Sequence, residues 1–170
     1  DYTEGEAMAL LEREGFNGRK ALEIYEGFAP GATPREKLVY ALTDTMFRNS
    51  MVRILDAAAG SGAKCWSWMC TFESDLMNGA LRATHAIELS FLWDWARQSP
   101  MGLAGSNPPE DLGPAMRAYW VNFARAGVPS ADGEPDWPTY DTSRRATLVL
   151  DSERRIAHDL DGDVRAFWFD

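Results

Sequence analysis

Histidine and cysteine are scarce in this chain, with two of each in 170 residues. Neither pair is arranged for a metal. No C-x-x-C or H-E-x-x-H occurs and no ligand set surrounds either histidine, so no metal and no cofactor is expected. Cys65 and Cys70 share one apolar segment at an odd spacing. On a strand that spacing points them to opposite faces, which excludes a bridge between them and predicts two free thiols. Positive charge is short as well: 17 lysines and arginines against 26 acids give a formal net charge of −9. A polyanion or an anionic bilayer is poorly matched to that balance, so neither nucleic acid nor membrane is an expected partner. No apolar run is long enough to span a bilayer, and Asp1-Tyr2-Thr3-Glu4 does not read as an export signal. With the thiols unpaired, the cytoplasm is favoured over secretion, and the compartment is otherwise open.

What is present is a 45% hydrophobic sequence, enough for one modest domain over residues 1–170. Thr3 and Glu6 have the spacing of a capping box, and Thr33, Pro34 and Glu36 mark a second clear helix start. The intervening Gly15 and Gly18 break the chain before a short helix through Leu22 and Tyr25. Leu38, Val39, Leu42 and Met46 are predicted to form one inward stripe, and Met51, Ile54, Leu55 and Ala58 another that ends at Gly60. Leu112, Met116, Tyr119, Trp120 and Phe123 share a face of one long helix that Gly127 ends. Residues 99–109 read as a surface loop rich in glycine and proline.

Strands are fewer. "KCWSWMCTF", Lys64 to Phe72, is apolar on both alternating faces, as in a strand covered by helices on each side. "RATLVLDSERRIAHDL" predicts two short strands joined at Asp151-Ser152-Glu153, read as a peripheral hairpin. Gly162 to Trp168 completes the chain as a short helix. The class is therefore α/β, with one buried central strand whose sheet is incomplete within this chain.

"ATHAIELSFLWD", Ala83 to Asp94, follows the central strand. Open α/β sheets place reacting groups just beyond the carboxyl ends of parallel strands, where His85 stands. His158, alternating with Ile156 and Leu160, reads as merely packed or solvated. The stretch around His85 resembles that around the catalytic histidine of type B carboxylesterases, the esterase/cholinesterase family. "LTDTMFR", "CWSWMCTFES", "MRAYWVNFARAGVPS" with "DWPTYD", "RATLVLDSERRI" and "RAFW" resemble further family blocks, in family order along nearly the whole chain. The resemblance implies the C-terminal part of an α/β-hydrolase, with chain order serine, acid, histidine. It assigns His85 as the general base, Glu88 as a supporting acid beside the site, and Ile87 as a residue that lines the substrate gorge. The tryptophans Trp66, Trp68, Trp93 and Trp95 suggest an aromatic surrounding, with core packing the simpler reading.

The chain departs from the family pattern in what it lacks. No serine has a glycine two residues before it, so the G-x-S-x-G elbow is missing, as is a glycine-rich oxyanion loop. Glu4 superficially matches the triad acid, but its capping box explains the segment better. The expectation is a serine carboxylesterase portion, inactive alone, whose partner is an N-terminal polypeptide carrying serine and glutamate, acting on small-molecule esters. The alternative is a non-catalytic cholinesterase-like interaction module.

Overall fold

In the structure, a computed structural model that describes residues 2–93 and 102–169, the first helices begin where their caps place them. Helix α1 (Glu4–Arg13) opens on the Thr3–Glu6 box, Glu6 Oε2 accepting from Thr3 N at 2.8 Å. Helix α2 (Gly18–Phe28) is capped by Asn17, whose Oδ1 accepts from Lys20 N. Helix α3 (Pro34–Thr43) opens on the Thr33–Glu36 box with proline in its first turn. A five-residue π-helical turn, Asp44–Arg48, leads into α4 (Asn49–Gly60). The chain then builds β1 (Ser67–Cys70), α5 (Leu89–Leu92), α6 (Leu112–Ala126), β2 (Ala146–Leu150), β3 (Arg155–His158) and α7 (Gly162–Phe169).

Packing divides these elements into two compact units, Asp1–Ala63 with Leu160–Asp170, and Lys64–Asp159. The sequence suggested one core; each unit has its own. In the first, Ala7, Leu11, Ala21, Leu22, Tyr25, Leu38, Ala41 and Val164 are buried together. A polar cluster sits beside them. Tyr25 OH donates to Asp44 Oδ2 at 2.5 Å and accepts from Trp168 Nε1 at 2.9 Å. Arg48 pairs with Asp161 at 2.5 Å and donates to the Leu160 carbonyl at 2.7 Å, which fastens the entry to α7.

Of the two predicted stripes, the first is buried only in part and the second not at all. Leu38 and Ala41 occupy the buried face of α3, so Val39, one residue round the helix, is 49% exposed. The π-helical turn breaks the 3.6-residue period, and Met46 and Phe47 within it are 64% and 63% exposed. Helix α4 buries no residue at all; Ile54 is 68% exposed. Helical spacing creates an apolar face but does not supply its cover. The left-handed glycine that ends α4 is Gly62, φ +83°, rather than Gly60.

The second unit holds a three-stranded sheet in the order β1-β2-β3. Strand β1 pairs in parallel with β2, Ser67 opposite Thr147 and Cys70 opposite Leu150, and β3 pairs antiparallel with β2. The hairpin joins the sheet on one edge of β1. Its first strand is the central and most buried one, with all five residues buried, and β1 is shorter than the predicted nine-residue strand. Neighbours on both edges shield β2, whereas β1 has a partner on one edge only among the described residues. Burial of Leu148, Val149 and Leu150 contributes roughly 2 kcal/mol each.

Helix α6 lies against this unit's core with Leu112, Met116 and Tyr119 fully buried, while Phe123 is 48% exposed. Trp137 Nε1 donates to the Ser67 carbonyl at 3.0 Å, which ties the Trp-Pro loop to β1. Arg154 holds the hairpin down through paired bonds to Glu134 and one to Asp111. Cys65 and Cys70 are not bridged by a disulfide, and both are half-buried.

Candidate active site

Past Cys70 the chain continues the ladder for one more bond, Thr71 N to the Leu150 carbonyl at 3.0 Å. Phe72 then turns inward against Phe91, ring edge to ring face, with centroids 5.1 Å apart. Between these two aromatics lies the histidine loop. Its first half is closed by an isolated bridge, Ser74 N to the Arg82 carbonyl at 3.1 Å, around the turn at Asn78-Gly79. Its second half is a tight turn in which Ile87 N donates to the Thr84 carbonyl at 3.1 Å.

His85 occupies the second position of that turn and is exposed. Ala86 follows with φ +66°, a left-handed conformation that favours glycine. Nothing in the sequence marks this strain, because alanine is not a turn signal. Ile87 departs from the lining role expected of it. It is 1% exposed and packs with Phe72 and Phe91 in the core, so its side chain anchors the turn. Within this turn Ile87 is buried and the His85 imidazole is exposed.

Glu88 is half-buried and close enough to Cys70 for its charge to help raise that thiol. Burial is the larger cause; together they push Cys70 up to about 11, which keeps it protonated and inert as a nucleophile near neutral pH. Helix α5 follows immediately. Arg117 Nη1 holds its last carbonyls, at 2.9 Å from Phe91 O. Gly113 makes room for that approach: a Cβ there would lie 2.5 Å from Phe91 O.

The other sequence candidates lie elsewhere. His158 is exposed on β3 opposite Ala146. Glu4 sits in the first turn of α1, in the other unit from His85. Trp66 packs on Phe123 and Trp68 on Trp120, whereas Trp93 is 56% exposed at the end of α5. Trp95 lies outside the described residues. Among the described residues, no cluster of three histidines, cysteines or acids could hold a metal ion, and no helix is long and apolar enough to cross a membrane. The candidate site among the described residues is thus an exposed imidazole on an anchored turn.

Comparison with known proteins gives the family. The pattern of the carboxylesterase family matches residues 17–168. Phenmedipham hydrolase of Pseudarthrobacter oxydans is 26% identical over 156 residues, covering 89% of this chain and 31% of that protein. Liver carboxylesterase 1 of Mus musculus is 29% identical over 154 residues, covering 87% and 26%. Among solved structures, a Geobacillus stearothermophilus carboxylesterase superposes with a TM-score of 0.81 at 28% identity, over 98% of this chain and 35% of that one. The chain thus spans between about a quarter and a third of these relatives, and its helices and three-stranded sheet are part of an α/β-hydrolase fold. This chain belongs to the carboxylesterase family.

Proposed function

We propose that the chain is the C-terminal portion of a serine carboxylesterase acting on small carboxylic esters, and that His85 is its general base. The observation that carries this reading is the exposed imidazole on the loop that follows the carboxyl end of a parallel strand, in a turn anchored by the buried Ile87. The serine and the triad glutamate come from an N-terminal polypeptide of the same esterase. Three features support such a partner. No serine here follows a glycine at the elbow spacing, β1 has one unpaired edge among the described residues, and Val39, Met46, Phe47, Met51 and Ile54 leave apolar surface uncovered.

In this mechanism one ring nitrogen of His85 takes the serine proton as the hydroxyl oxygen bonds to the ester carbonyl carbon. The other ring nitrogen donates to the glutamate, which holds the tautomer and stabilises the imidazolium. Collapse breaks the bond to the alcohol oxygen, and His85 returns the proton to that leaving group. Water then repeats the sequence on the acyl-enzyme. Glu88 supports the site from beside the turn, and no cofactor takes part.

The test is hydrolysis of p-nitrophenyl acetate. The 170 residues alone are expected to show no turnover, and the chain assembled with its N-terminal part is expected to be active. His85→Ala should lower the assembled rate by on the order of 10⁴ or more. Turnover by the lone chain, or an active His85→Ala assembly, would reject the proposal.

A further inference from the structure

We infer that the segment Leu103–Ser106 is a positioning strap for the His85 imidazole, acting through Asp75 on one flank of the histidine loop and Ser90 on the other. This rests on His85 being the base. Ser106 donates twice to Asp75, its backbone N–H to Oδ1 at 2.9 Å and its hydroxyl to Oδ2. Three residues earlier, Leu103 N donates to Ser90 Oγ at 3.0 Å, and Ser90 is only 2% exposed. Between these ties Ala104 is buried in the same core as Ile87, Phe72 and Phe91. One short segment therefore grips the chain before the histidine and after it.

The backbone of the strap is specific to this task. Gly105 has φ +79°, and a Cβ there would stand 1.9 Å from Asp75 Oδ1, so the carboxylate is received only because the residue is glycine. Both bonds from Ser106 hold the Asp75 carboxyl below the usual carboxylate range, which keeps it an acceptor near neutral pH. Asp75 in turn takes the Gly79 N–H on its carbonyl at 3.2 Å, inside the loop that the Ser74–Arg82 bridge closes. The strain at Ala86 is of the kind that persists only where surroundings over-determine it. The two ties supply that restraint. Asp75, Ser90 and Ser106 are then positioning residues; none needs to touch substrate.

The experiment uses the two histidines as reporter and control. Their imidazole C–H signals are recorded in Asp75→Ala, Ser106→Ala, the double variant and Asp75→Asn. The alanine variants should shift and broaden the His85 signal and leave that of His158 in place. The double variant should be no worse than Asp75→Ala, which already removes both bonds, whereas Ser106→Ala alone keeps the backbone one. Asp75→Asn, which retains an acceptor for Ser106 N, should return the signal towards its original position. In the assembled esterase, Asp75→Ala should lower kcat by on the order of 10-fold to 100-fold with KM within about twofold, since small misplacement of a catalytic group acts on the chemical step. An unmoved His85 signal, or equal disturbance of both histidines, would overturn the strap while His85→Ala still abolishes activity. If His85→Ala leaves activity intact, the base assignment falls first, and the two failures are told apart.

Discussion

Ala86 concentrates strain beside the candidate base, at φ +66° where a Cβ crowds the backbone. A left-handed alanine costs about 1–2 kcal/mol, against about 0.4–1 kcal/mol that glycine loses through a freer unfolded chain. Ala86→Gly is therefore expected to raise stability by roughly 0.5 kcal/mol, read from urea unfolding. A loss would show that the turn relaxes without glycine. Asp44 offers a second test at this scale. Burial raises its carboxyl above the ordinary range, with Tyr25 and Arg48 pulling the other way. The native state then keeps a proton that the unfolded chain releases. Stability from this group is full below its unfolded pKa and is lost as pH rises through the raised folded value. Asp44→Asn removes that titration, so its Tm relative to the parent should climb as pH rises above about 4. A constant difference would contradict the assignment. Tyr25→Phe, which strips a partner from both Asp44 and Trp168, should cost about 1–3 kcal/mol.

Among elements, the approach of α6 to α5 sets two effects against each other. Alanine is a better helix former than glycine by about 1 kcal/mol, yet at position 113 its Cβ would meet a backbone carbonyl at 2.5 Å. A carbonyl fixed by Arg117 cannot swing aside as a side chain can, so the clash wins. Gly113→Ala should destabilise the protein by about 1–3 kcal/mol in denaturant unfolding. The same scale shows what the sequence could tell. Caps at Thr3 and Thr33 and the stop at Gly127 were legible because their signals sit within a few residues of their effects. The β1–β2 pairing was not, since Ser67 and Thr147 carry no mark of each other. Ile54 and Met51 fit a helical stripe equally well with or without a cover. At the candidate site, the sequence singles out His85 through its neighbours, whereas the burial of Ile87 and the grip of Ser106 on Asp75 depend on chain folded back from afar.

Over the whole molecule, uncovered apolar side chains should make the isolated chain bind a hydrophobic dye such as ANS. Ile54→Glu is expected to change the stability of the isolated chain by less than about 0.5 kcal/mol, because α4 buries nothing there. The same change should block assembly with the proposed N-terminal part, seen by size-exclusion chromatography. Unimpaired assembly would place the contact elsewhere.

The parallel register of Ser67 with Thr147 also sets a timetable for biosynthesis. The two residues are 80 positions apart, so a ribosome making 5–20 residues per second needs roughly 4–16 s between them. Until the later strand emerges, the segment leading to the imidazole lacks the neighbour it has here. A premature stop before residue 146 would therefore release a histidine loop with no ladder beneath it.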